Sequence, residues 1–348
     1  MKNFLKIAAT IFLLLIAAAS ATAYFLFWAP AVPKDSAPRD FVIYRGMLLP
    51  QIADSLQSHG LISSRDRFIF ADKILQWGKT LKAGKYTLAP GASTLDLYKL
   101  FRSGKSAQFR VTLPEGKTIE DYAAILQRTM EIDSVAFVRL AYDSTFAKQL
   151  NVPAENLEGY LYPNTYSFAW GVPAPDIIRT VVQEFHQQVN DSLRLRAEAL
   201  GMSLQHVLTL ASIIEGEAVV DSERTIISAV YHNRLRQGIL LQADPTIQYI
   251  VPGPPRRLLN RDLAIDSRYN TYRYPGLPPG PVNNPGIASI RAALYPAKVN
   301  YLYFVARGDG SHTFSRTLQE HLRAKKEFDK IRARVQRQRA SQSNGGFR

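Results

Sequence analysis

Residues 204–217 read LQHVLTLASIIEGE, an apolar run that closes on two carboxylates, Glu215 and Glu217. Leu204, Leu208, Ala211 and Glu215 recur at spacings of four, three and four, so a helix here puts Glu215 on a core-facing stripe. His206, Leu210, Ile213 and Glu217 make a second stripe, and Glu217 falls about 200° around the helix from Glu215. Periodicity therefore does not choose between the two. Ser203 is the expected N-cap of this helix. A carboxylate held against Leu and Ile resists ionisation and can keep a proton for a leaving group. The competing reading has both glutamates at a helix end, reaching solvent or pairing with an arginine such as Arg224.

On either side of this run the pattern is mixed helix and strand, an α+β chain. Residues 176–201 read as one long amphipathic helix, with Ile177, Val181, Phe185 and Val189 at regular spacing and Gly201 as its stop. Residues 222–236 read as a further helix closed by Gly238. Residues 301–306 read as a buried strand that leads into the turn Gly308-Asp309-Gly310. Nearer the N-terminus lies a weak repeat. Ile43, Arg45-Gly46, Ile52-Ala53 and Leu56 align at one constant offset with Leu113, Glu115-Gly116, Tyr122-Ala123 and Leu126. Each copy predicts a strand, a glycine turn and an amphipathic helix, and residues 83–100 predict a third such unit between them.

The chain of 348 residues, 46% hydrophobic, is long enough for a membrane segment and two or three cored units. Lys2 and Lys6 precede an uncharged stretch from Ile7 to Trp28, about 22 residues, which suits a spanning helix. Tyr24, Phe25, Phe27 and Trp28 at its end form an aromatic interface belt. A cleaved signal peptide competes, with small-residue sites at Ala19-Ser20-Ala21 and Ala21-Thr22-Ala23, but the stretch exceeds the usual apolar region of about 7–15 residues. An anchor leaves Lys2 and Lys6 in the cytoplasm and everything beyond Pro30 outside. Cysteine is absent, which excludes disulfides, a Cys nucleophile and thiolate metal sites. The six histidines show no His-Glu-x-x-His spacing, against a zinc hydrolase, and neither metal nor cofactor is expected. A net charge of +14 favours anionic partners such as lipid or a carboxylate-bearing polymer, and export argues against nucleic acid. The expected division is 1–29 cytoplasmic end and transmembrane helix, 30–39 linker, 40–150 small α+β module, 151–332 larger α+β catalytic domain, and 333–348 basic flexible tail.

Five separated segments carry the specific polar residues: EGYLYPNTY (158–166), ASIIEGE (211–217), NRL (233–235) with LQADPT (241–246), YNTY (269–272) with GLPPG (276–280), and YLYFVA (301–306) with GSHTF (310–314). In this order they closely resemble the endolytic murein transglycosylases, the YceG-like or MltG family, over nearly the whole chain. The N-terminal strand-turn-helix units resemble LysM-like modules, which bind N-acetylated glycans; a packing spacer without ligand is the competing reading. Gly216 departs from the Lys the family usually has, and Asn164 from its frequent Asp.

The resemblance implies a lyase that cuts the β-1,4 bond between N-acetylmuramic acid and N-acetylglucosamine within nascent peptidoglycan strands, with Glu215 as the catalytic acid. One carboxylate suffices for such an enzyme. It protonates the glycosidic oxygen, then takes the proton of the sugar's own C6 hydroxyl, which closes a 1,6-anhydro ring with the high effective molarity of a tethered nucleophile. Supporting candidates are Glu158 for an acetamido or hydroxyl group, and Tyr160, Tyr162 and Tyr166 for stacking, against simple core packing. Asn233, Gln242, Asp244 and Thr246 are candidates to position sugar, against capping and turn chemistry. Asn270 and Tyr272 precede a loop that could rim the cleft, and Glu217 and His312 are second-shell candidates. A water-using muramidase, with Glu158 or Glu217 as second carboxylate, and a noncatalytic wall-binding scaffold remain as alternatives. The implied setting is the cytoplasmic membrane, with the catalytic domain outside it (periplasmic in a Gram-negative cell), and penicillin-binding synthases are the implied neighbours.

Overall fold

Short capped helices and short strands build both compact units of the chain in the computed structural model, which describes residues 2–44, 46–104 and 108–344. One unit comprises Met1–Val111 with Ser167–Pro173, and the other Thr112–Tyr166 with Ala174–Arg348. The architecture is α+β, as the mixed pattern predicts.

In the first unit, α1 (Lys2–Phe27) contains 24 residues, Phe4–Phe27, of mean hydropathy 2.2, long and apolar enough to cross a membrane. Strand β1 (Arg39–Ile43) pairs antiparallel with β2 (Gly84–Leu88), from Arg39↔Leu88 to Ile43↔Gly84. Two-residue alternation sends Phe41, Ile43, Tyr86 and Leu88 inward. They meet Ile52, Ala53 and Leu56 of α2 (Leu49–Ser58), Phe68 of α3 (Arg65–Leu75) and Leu97, Tyr98 and Phe101 of α4 (Thr94–Ser103). Phe68 and Tyr98 stack with centroids 4.5 Å apart. Ser93 and Asp96 form a capping box that starts α4. The Pro- and Ala-rich stretch expected to be a linker is packed instead: Ala31 and Val32 are buried, and their N–H groups donate to Ala92 O at 2.8 and 3.0 Å. Arg67 closes the end of α1 by donating to the carbonyls of Pro30 (3.0 Å), Leu26 (3.5 Å) and Ala29.

All three expected strand-turn-helix units form. The second copy of the repeat joins β3 (Gln108–Leu113) to α5 (Ile119–Met130), with Thr118 and Asp121 as capping box. Gly46 and Gly116, in register in the repeat, adopt φ of 87° and 72°, a turn conformation open to glycine at little cost.

The second unit continues through α6 (Ser134–Ala141) and α7 (Ser144–Gln149), and β4 (Asn164–Ala169) follows and pairs with β3. The helix predicted over 176–201 is two helices, α8 (Ala174–Gln188) and α9 (Asp191–Ala199). Asn190 breaks it: its side chain accepts from Leu193 N at 3.3 Å, and that capping bond competes with continued helix. Next come α10 (Leu204–Glu217), α11 (Arg224–Arg236), α12 (Asp244–Ile250) and α13 (Ile287–Leu294). Helix α10 packs on α11, α12 and α13, with every residue from Val207 to Ile214 buried. The predicted strand over 301–306 is shorter and half-buried: among the described residues β5 (Tyr303–Ala306) pairs as a hairpin with β6 (His312–Ser315). The last helix, α14 (Leu318–Asn344), makes residues 333–344 of the expected flexible tail helical, while 345–348 lie outside the described residues.

Candidate active site

Helix α10 starts where Ser203 Oγ accepts from His206 N at 3.2 Å, as its N-cap position predicts. Its far end is tied to the loop before α13. Ser212 Oγ accepts from Val282 N at 3.0 Å, and Asn283 Nδ2 donates to Ser212 O at 2.9 Å. This lays the loop along α10, so that Gly286 N, one helical turn on, donates to Glu215 Oε2 at 3.1 Å. Gly286 is also the N-cap of α13, whose free N–H end favours an anion.

The other Glu215 oxygen, Oε1, accepts from Arg224 Nη1 at 3.2 Å; the two side chains are 7% and 11% exposed. Arg224 in turn reaches Ser289 Oγ (2.5 Å) and, through Nε, Asp221 Oδ1 (3.0 Å). The arginine pairing that competed with the catalytic reading is therefore present, on the same carboxylate. A pair so little exposed holds each partner in a defined place and is costly to break.

Glu217 lies in different surroundings. Tyr231 hydroxyl donates to its Oε1 at 3.2 Å, and Asp244 faces it from the start of α12. Burial, with the Asp244 charge next, pushes the Glu217 carboxyl up to about 7, against the Tyr231 bond, the Asp244 N–H and Arg234. Tyr272 hydroxyl donates to Asp244 Oδ1 at 2.5 Å, so Glu217, Asp244 and Tyr272 do come together. Between the glutamates, Gly216 lies against Pro245: a Cβ there would come within 2.6 Å of its ring. That contact belongs to this chain's own α10–α12 packing, and a larger residue at 216 requires α12 to move.

The remaining sequence candidates are distributed as follows. Glu158 is 1% exposed; its oxygens accept from Asn284 Nδ2 at 2.8 Å and Ile119 N at 3.3 Å, and burial holds its carboxyl well above the usual range. Tyr160, Tyr162 and Tyr166 are buried, with Tyr160 hydroxyl on Gln205 Oε1 (2.7 Å) and Tyr166 hydroxyl on Tyr162 O (2.6 Å). Asn233 donates to the carbonyls of Val299 (2.9 Å) and Tyr301 (2.8 Å), which fixes the approach to β5. Thr246 bonds Ala243 O and Thr271 Oγ1, and Asn270 donates to Leu263 O and Ile265 O, both as turn clamps. His312 pairs through Nδ1 with Glu223 Oε2 at 2.7 Å. Gln242 and Asp244 are exposed, and Gln242 takes φ 49°. Asn164, at the position where the family often has Asp, donates to Glu184 Oε1 at 3.1 Å, a bond an ionised Asp could not make.

Two residues that the sequence reading left out lie in the segments around the candidate site. Asn284 is fully buried and saturated: its Oδ1 accepts from Gly159 N and Leu161 N, and its Nδ2 donates to Lys117 O and Glu158 Oε1. It joins three segments far apart in sequence. Glu115, quoted only as a turn residue of the repeat, lies over Gly286, where a Cβ would come 1.9 Å from Glu115 Oε1. The available signal was slight: a charged residue beside a turn glycine, and an Asn-Asn-Pro-Gly turn at 283–286. Among the described residues, no group of three or more His, Asp or Glu side chains is placed to hold a metal ion.

The sequence model of the YceG-like family matches residues 41–327. A protein of Bacillus subtilis (strain 168) named endolytic murein transglycosylase is 33% identical over 314 residues, covering 85% of this chain and 87% of that protein. A protein of the same name from Streptococcus pneumoniae (strain ATCC BAA-255 / R6) is 28% identical over 333 residues, and the match spans 60% of its length. The 2.6 Å crystal structure of a YceG-like protein from Listeria monocytogenes superposes with a TM-score of 0.58 at 33% identity, covering 82% of this chain and 98% of that one.

Proposed function

This chain belongs to the YceG-like family, and from that premise we propose that it is a peptidoglycan lytic transglycosylase that cuts within glycan strands at the MurNAc–GlcNAc β-1,4 bond. The observation that supports this most is Glu215, on the family's glutamate motif at the end of a core helix, with both oxygens engaged by Arg224 and Gly286 N–H. Glu215 gives its proton to the glycosidic oxygen as the bond to the muramyl C1 breaks. The carboxylate left behind rests on two donors already in position, which lowers the energy of the charge-separated state without reorganisation. The muramyl C6 hydroxyl then attacks C1 and returns a proton to Glu215, so the 1,6-anhydro ring closes and no water is consumed.

The α1 helix anchors the protein in the cytoplasmic membrane, with everything beyond Pro30 outside, next to newly made strands and the synthases that make them. The N-terminal strand-turn-helix units act as a LysM-like glycan-holding module. Gln242, Asp244 and Tyr272, on the exposed side of the Glu217 cluster, contact sugar hydroxyls.

The test is digestion of purified peptidoglycan by the full-length protein in detergent, followed by mass analysis of the new ends. Wild type is expected to leave 1,6-anhydromuramyl ends and Glu215→Gln to leave none. Reducing ends would assign a hydrolase, and equal cutting by both proteins would remove Glu215 from the chemistry.

A further inference from the structure

The turn between β3 and α5 brings a second carboxylate to Glu215. It is fixed at both ends: Tyr122 hydroxyl donates to Pro114 O at 2.8 Å, and Gly116 N donates to Asn284 O at 2.9 Å. From this turn the Glu115 carboxylate covers the bare Cα of Gly286, the residue whose N–H donates to Glu215. Through that one residue the two carboxylates come within roughly 8 Å, given an N–Cα bond of about 1.46 Å. Gly116 packs on Glu215 itself, with a Cβ there only 3.5 Å from Glu215 Cγ. Facing the pair are Arg224 from α11, Asp221 from the turn before it, and the hydroxyls of Tyr122 and Tyr162.

Glu215 and Asp221 thus pair with one guanidinium, whose charge also reaches Glu115. Arg224 and Gly286 N–H both stabilise Glu215 as an anion, the form that has no proton to give. Protonation of the glycosidic oxygen needs the opposite form, and a like charge nearby biases the carboxyl toward it. We propose that Glu115 is a positioning residue of the catalytic centre whose charge, when ionised, favours the protonated form of the Glu215 carboxyl that donates the proton. Partial burial, and next the Glu215 charge, push the Glu115 carboxyl upward against Arg224, so Glu115 senses the charge of its neighbour. Glu115 stays open to solvent while the Glu215 side chain is 7% exposed, so Glu115 exchanges protons with water and Glu215 meets the glycosidic oxygen. Its own proton count is the same before and after turnover.

The inference rests on the proposed activity, and the test separates the two. The pH dependence of kcat is measured for full-length wild type, Glu115→Gln and Glu115→Asp on peptidoglycan in detergent. Beside it, carboxyl-labelled glutamate is titrated by ¹³C NMR, with Glu215 assigned from the Glu215→Gln spectrum. At this separation, with an effective dielectric of 20, the charge of Glu115 moves its partner's titration by about 1.5 pH units. Glu115→Gln is therefore expected to move the alkaline limb of kcat, and the Glu215 carbon titration, about 1.5 units lower. Glu115→Asp restores part of the shift. A uniform loss of activity with an unmoved limb, or a Glu215 titration the same in all three proteins, overturns the proposal. A wild type that makes no anhydro ends overturns the activity, while the NMR titration still decides the pair.

Discussion

Glu215 and Glu217 stand two positions apart on one helix, yet their surroundings have almost nothing in common. Glu215 meets a guanidinium and a helix N-terminus, so its charge is compensated where it lies. Glu217 meets a tyrosine hydroxyl and another carboxylate, and its proton stays on to about 7. A raised titration alone favours Glu217 as the acid; under the proposed function the motif and the two donors favour Glu215. What decides between them is which group can lose its proton into a prepared site and take it back.

The largest expected effect comes from Glu215→Gln, which keeps the shape and the Gly286 contact but removes the titrating group. Cutting of peptidoglycan should fall by about 10²–10⁴-fold while the melting transition stays cooperative. The same loss from Glu217→Gln, measured in parallel by release of anhydromuramyl ends, would make the two glutamates equivalent in the reaction.

Arg224→Ala sharpens the comparison from the other side. It leaves Glu215 and Asp221 without their cation, and for a pair so little exposed the expected loss of stability is about 3 kcal/mol, read from the urea midpoint. A change below about 0.5 kcal/mol would place the pair in the class of solvent-screened surface contacts.

Glu217 makes the opposite prediction about pH. Its carboxyl titrates near 7 in the folded chain and near 4.5 unfolded, so between those values the folded state binds more protons and stability falls as pH rises. The contribution is intact below pH 4.5 and lost above about 7, a span of up to about 3 kcal/mol. Glu217→Gln should gain that much relative to wild type between pH 4.5 and pH 8 in denaturant melts. A parallel pH dependence of the two proteins would show that Glu217 is not the buried acid of this cluster.

Gly216→Ala gives the smallest effect. The added methyl meets Pro245 at 2.6 Å, and moving α12 aside should cost about 1–2 kcal/mol in thermal or urea unfolding. Because α12 carries Asp244, the Glu217 titration should shift with it, while Glu215 keeps its Arg224 pairing.

Much of this was legible in the chain because it is local. Ser203 caps α10 as read, the glycines of the repeat take the turn conformation, and the three strand-turn-helix units form where alternation and spacing put them. Local signals also misled where two of them competed. The apolar spacing over 176–201 continues through Asn190, but its cap bond outweighs that spacing and splits the helix. The strand at 301–306 looks buried because it is aromatic, yet a two-stranded hairpin covers it only in part.

The site was less legible than the fold. Asn233, Thr246 and Asn270 carry the polar groups a sugar site needs, but those groups are taken up by backbone carbonyls and neighbouring hydroxyls. Glu158 has the burial expected of an unusual carboxylate, and Asn284, 126 positions away, answers it.

By itself the sequence determined the apolar N-terminal helix, the helix that ends in two glutamates, the order of motifs and hence the family. Each of these follows from neighbours within a few turns of chain, where periodicity and capping act. The tertiary structure decided which glutamate meets Arg224, which keeps its proton, and that Glu115 faces Glu215 across Gly286. Those outcomes depend on contacts between segments tens to more than a hundred residues apart, and the free energy of a charge is set by such contacts rather than by its place in the chain.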